Sequence, residues 1–120
     1  MVTEGTIKTP DQMNSMIEAG KIVAKVLLEC EKNLKSSITT EEIDDFLREA
    51  IKKEGASPAF LGLYDFPATA CISLNEEIVH GIPGSRKLIK GDIVSIDCGA
   101  IVDGMYSDHA KTYLIEESNN

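Results

Sequence analysis

Asp97 and Asp108 stand on either side of an Asp103-Gly104 dipeptide, and this spacing can bring two carboxylates to one point. Asp-Gly between runs rich in Ile and Val is a strong hairpin signal, because a type I′ turn needs positive φ at both central residues. If Val102 faces Met105, then Asp97 faces Ala110. Side chains alternate with period two, so Ala110 shares a face with Asp108. The two aspartates become diagonal neighbours, with backbones roughly 7 to 8 Å apart. Both carboxylates can then reach one cation or bracket two. Like charges this close disfavour each other's ionisation, so the arrangement is stable only if something positive joins it. Divalent metals prefer such oxygen ligands. The alternative is a solvent-facing strand carrying two Asp by chance, against which stands the depletion of Asp in strands and the Ile93-Val94-Ser95-Ile96 run before Asp97.

The elements that must position this pair are legible upstream. Thr9-Pro10-Asp11-Gln12 reads as a helix start, with a Thr N-cap, Pro at the first helical position and Gln closing a capping box. Met13, Met16, Ile17, Gly20, Val23, Ala24, Leu27, Cys30, Glu31 and Leu34 recur at helical steps and predict a long amphipathic helix, with Met13 and Met16 as core filler. Thr39-Thr40-Glu41-Glu42 opens a second helix, with Ile43, Phe46, Leu47, Ala50 and Ile51 on its apolar stripe and Gly55 as its stop. Pro58, Gly62 and Pro67 then break a partly aromatic stretch. Short apolar runs at Thr69 to Leu74 and Glu77 to His80 read as strands, and the final hairpin occupies Asp92 to Ile115. Helices followed by strands predict an α+β domain whose antiparallel sheet is covered on one face by two helices.

A chain of 120 residues that is 42% apolar builds one modest core, so residues 1–120 are expected to form a single domain. It contains no apolar stretch near the ~20 residues of a membrane span and opens on no signal-type segment, which predicts a cytoplasmic protein. Cys30, Cys71 and Cys98 are odd in number and far apart, the pattern of reduced thiols. The formal net charge of −8 disfavours nucleic acid and anionic membrane as partners.

The run Asn75-Glu76-Glu77-Ile78-Val79-His80-Gly81-Ile82-Pro83, followed by Lys90-Gly91-Asp92-Ile93-Val94-Ser95-Ile96-Asp97 and then Asp108, resembles the methionine aminopeptidases of the first type. Lys8-Thr9-Pro10 and Ser37-Ile38-Thr39-Thr40 add to the likeness, which extends from Ile7 to Ile115. It implies one half, the N-terminal one, of a pita-bread fold that closes around two divalent metals (Co, Mn, Fe or Zn). It also implies metal-dependent removal of N-terminal methionine from peptides and nascent proteins. By position Asp97 and Asp108 match two metal ligands, and His80 matches a histidine on the substrate side. Phe60, Leu63, Phe66 and Cys71 match the lining of the methionine pocket. Leu63 departs from the pattern, since an aromatic is common there. Ser107-Asp108-His109-Ala110 also stands where Gly-Asp-Ser/Thr-Ala is more typical. In the register above His109 points away from the aspartates, whereas a bulged three-residue turn would bring it beside Asp97.

The resemblance further implies that one His and two Glu ligands, with the Glu that acts as general base, belong to a second half that has no counterpart up to Asn120. Two divalent ions carry a charge of +4 and the aspartates supply −2. The expectation for this chain is therefore one weakly held cation or none, doubtful activity by itself, and either self-association or pairing with the missing C-terminal half. The competing reading is a non-catalytic half-fold that binds peptides or a partner protein.

Overall fold

The computed structural model describes residues 8–60, 68–75 and 81–116. Helix α1 spans Pro10–Glu31 and α2 spans Thr40–Lys53. Both begin as their sequences dictate. The Thr9 hydroxyl accepts from the Gln12 N–H at 3.1 Å while the Gln12 side chain accepts from the Thr9 N–H at 2.9 Å. Thr39 and Glu42 repeat the same reciprocal pair at 3.1 and 2.8 Å. Each box satisfies two backbone donors that helix geometry leaves without a partner. Helix α2 stops at Gly55, whose φ of 86° is open to glycine at no steric cost.

Strands β1 (Ser57–Pro58), β2 (Ala70–Leu74), β3 (Ile93–Val102) and β4 (Met105–Leu114) form one antiparallel sheet. Strand β4 pairs with β3 along its whole length, so β1 and β2 lie end to end on the other edge of β3. The two-residue β1 went unread in the sequence because Pro58 breaks its pattern; an edge position tolerates a residue without an N–H. The run Glu77 to His80 lies outside the described residues.

The hairpin that joins β3 to β4 turns at Asp103 and Gly104, with φ of 49° and 80°, the backbone of a type I′ turn. Alternation along β3 separates the two faces. Val94, Ile96, Cys98 and Ala100 are fully buried and join Ile22, Val23, Val26, Leu27, Ile43, Leu47 and Ile51 of the helices in one core. Helix α1 lies over β3 and β4, and α2 over β1 and β2. The opposite face of the sheet carries Asp97 and Asp108, with Ile93, Leu114 and Tyr106 at 48%, 60% and 61% exposure toward its ends.

The core face of α1 is rotated from the sequence expectation. Ala19, Ile22, Val23, Val26, Leu27 and Cys30 are buried, whereas Met13 and Ile17 are 53% and 54% exposed. The Ser15 hydroxyl reaches the Asp103 carboxylate at the hairpin tip, 3.4 Å away. Met13 shares its exposed stripe with Ile17, four residues on, and so is not core filler. Among the described residues, no helix is long and apolar enough to cross a membrane.

Candidate metal centre

Asp97 cannot follow its neighbours into the core, because Ile96 and Cys98 on either side of it take the helix-covered face. Its cross-strand partner is Ala110, and that of Asp108 is Gly99, so the two aspartates are diagonal neighbours on the open face, as the turn required. Gly99 makes room for this. A Cβ there would lie 3.1 Å from the Asp108 Cβ, 3.1 Å from the Ala59 side chain and 3.0 Å from the Ser107 carbonyl. The Ala59 N–H donates to the Gly99 carbonyl at 3.0 Å. That bond holds Ala59 against β3 beside Gly99.

The Asp97 carboxyl is pushed up to about 6, first by burial and then by the nearby charge of Asp108. One oxygen, Asp97 Oδ1, is buried with no hydrogen-bond partner. A buried acceptor with nothing to accept from costs about 1–3 kcal/mol, and a cation held jointly with Asp108 would relieve both that deficit and the repulsion. The donor set, two hard carboxylate oxygens on a rigid ladder, fits a divalent ion of the magnesium, manganese or cobalt kind. Among the described residues no third His, Cys, Asp or Glu joins the pair in ligating geometry.

Cys71 on β2 stands directly across from Asp97. It is half-buried, and burial and the Asp97 charge raise its thiol. Ile72, the next residue, donates its N–H to the Gly81 carbonyl at 2.8 Å. The chain that follows His80 is thus fastened to the outer edge of β2. Gly81 is required there, since a Cβ would fall 1.9 Å from the Ile72 carbonyl oxygen. His80, Leu63 and Phe66 themselves lie outside the described residues. His109 faces away from the aspartates, as the two-residue turn implies, and the bulged alternative does not occur. It pairs with Cys98 on the helix side of the sheet. A Cβ on Gly20 of α1 would lie 3.8 Å from its Nε2.

One buried acid near the site escaped the sequence reading. Asp44 of α2 is 5% exposed, and its carboxylate accepts from the Thr69 N–H at 3.2 Å and the Ala70 N–H at 2.7 Å. Its place between Ile43 and Leu47 on the buried arc of α2 was the available signal.

The chain is similar to known proteins in both sequence and structure. The chain is 46% identical over 114 residues to a methionine aminopeptidase of Borreliella burgdorferi, covering 95% of this chain and 45% of that protein. It is 50% identical over 108 residues to methionine aminopeptidase 1 of Bacillus subtilis, covering 90% and 44%. The crystal structure of a methionine aminopeptidase from Thermotoga maritima superposes with a TM-score of 0.88 at 40% identity, over 95% of this chain and 46% of that one. The architecture is that of a pita-bread aminopeptidase, and the chain spans about half the length of the relatives it matches. With the model of metallopeptidase family M24 matching residues 14–120, the chain belongs to that family.

Proposed function

We propose that this chain supplies the paired-aspartate part of a methionine aminopeptidase site, which removes N-terminal methionine from peptides and nascent proteins. The observation that carries the reading is the Asp97–Asp108 pair, with one Asp97 oxygen buried and unsatisfied. Asp97 and Asp108 would hold a divalent cation, be it manganese, cobalt, iron or zinc. When bound, such an ion lowers the pKa of its water and polarises the scissile carbonyl. The chain's own residues orient the reactants. The β3–β4 ladder fixes both carboxylates, Gly99 leaves the space into which Asp108 fits, and Cys71 walls the approach to Asp97 from β2. Phe60, Leu63, Phe66 and Cys71 are assigned to the pocket for the methionine side chain. His80 is assigned to hydrogen-bonding the substrate peptide, a task for a donor rather than a ligand. A cytoplasmic location and partners other than nucleic acid or membrane go with this reading. Self-association, or pairing with a separate segment that brings further ligands, would follow from the exposed apolar residues around the pair.

The pair balances one divalent ion but not two, and no third ligand joins it among the described residues. Calorimetric titration with manganese is therefore expected to show one weak site in the chain by itself, lost in Asp97→Asn. Two tight sites, or weak binding untouched by the substitution, would refute the assignment. The same missing third ligand favours a second reading, a non-catalytic module for peptide recognition. Release of methionine from a Met-Ala peptide in added manganese or cobalt separates the two.

A further inference from the structure

Strand β2 forms one wall of the site, because Cys71 lies across from Asp97. Its outer edge presents N–H groups that β3 cannot reach. Ile72 gives its N–H to Gly81, and Thr69 and Ala70 give theirs to Asp44. Thr69 and Ala70 are both fully buried, so no water replaces that carboxylate. Arg48 lies 3.5 Å from Asp44 but only 2.6 Å from Asp45, which leaves the two amides as the main partners of Asp44. Burial pushes the Asp44 carboxyl up, and the bonds from Thr69 and Ala70 pull it down. A buried acid is retained here at a place where an apolar residue would fill the helix face as well. What the acid adds is a rigid tie from α2 to the backbone immediately before Cys71.

We infer that Asp44 is a positioning residue for the site: by fixing the backbone of Thr69 and Ala70 it holds Cys71 against Asp97. The inference takes its functional meaning from the role proposed above, and its test does not depend on that role. In Asp44→Asn one acceptor becomes a donor facing an N–H, while size and shape are kept. Cys71 is the half-buried cysteine, and Cys30 and Cys98 are buried, so thiol modification of the native chain reports on β2 separately from global unfolding. The expected result is a rise in the Cys71 modification rate of about tenfold, with Cys30 and Cys98 silent. A Cys71 rate within about twofold of the parent, or all three thiols reacting together, would overturn the inference. If the variant does not fold, amide exchange in the unsubstituted chain decides. Thr69 and Ala70 should be protected as strongly as the β3 amides, and rapid exchange at either would refute the tie. Failure of the parent chain to bind manganese would count against the proposed function alone, since the thiol readout is independent of it.

Discussion

Replacing Asp97 by Asn should stabilise the metal-free chain, and by an amount that depends on pH. The carboxyl ordinarily titrates near 3.8 and is pushed up to about 6 in the folded chain, by burial and by Asp108. A raised carboxyl pKa means the folded state keeps the proton longer than the unfolded one. The resulting contribution is fully present below about pH 4 and is lost as pH rises through about 6. A displacement of two pH units corresponds to about 3 kcal/mol at most. Because Asp97 is only partly buried and solvent screens it, about 1–2 kcal/mol is the reasonable figure. Asn removes the charge, keeps the shape and can donate to Asp108. Asp44 and Asp92 also titrate abnormally, but both proteins share them and they cancel in the difference. Urea unfolding with chelator present should show the two stability curves meeting near pH 4, with the variant about 1–2 kcal/mol more stable near pH 8. Manganese about tenfold above its Kd should then add about 1.4 kcal/mol to the parent and nothing to the variant. A variant less stable at pH 8, or a difference that does not change with pH, would show that Asp97 is not held in conflict with Asp108 and that the reasoning fails.

Ellman's reagent should modify one of the three thiols in the native chain and all three in denaturant, because Cys30 and Cys98 are buried and their thiols are pushed up to about 12; three fast thiols under native conditions would contradict the core described here. Gly81→Ala puts a methyl carbon against the Ile72 carbonyl, and the backbone shift should cost about 2–4 kcal/mol in urea unfolding, while Gly84→Ala, where a Cβ meets nothing within 4 Å, serves as the mild control. Leu47→Ala empties a site with 0% exposure between α2 and the sheet and should cost about 2–5 kcal/mol. Thr39→Ala removes one arm of the α2 capping box and should cost about 1 kcal/mol by the same measurement.

The parts of this fold that could be read from the sequence are those fixed by local chemistry. Both capping boxes, the Gly55 stop and the Asp103-Gly104 turn are decided within four residues, and the structure shows each where the sequence places it. The turn then propagates. Once it has two residues, the register of the whole hairpin follows, and with it the diagonal pairing of Asp97 with Asp108 and the placement of His109 on the helix side. What the sequence concealed depends on contacts distant along the chain. The exposure of Met13 and Ile17 follows from which stripe of α1 meets the sheet, and the α1 periodicity carries no record of that. Strand β1 exists only because β3 offers Ser57 and Pro58 an edge. Asp44 looks like a helix residue until Thr69 and Ala70, 25 and 26 positions later, present their N–H groups to it.

The same division explains why the site is under strain while the devices that build it are not. Every device that sets the position of Asp97 is favourable in itself: a capped helix, a tight turn, and alternating apolar residues that drive Ile96 and Cys98 inward. Together they leave Asp97 no other face to occupy and bring Asp108 against it, so the repulsion between the two is borne by the rest of the domain. A chain selected for stability alone would place a neutral residue at one of the two positions, at no loss to the hairpin. That both are acidic, with an oxygen buried and unpartnered, makes sense when a cation completes the arrangement. The stability gain expected for Asp97→Asn and the loss of cation binding expected for the same substitution are thus two readings of one conflict, and each must accompany the other.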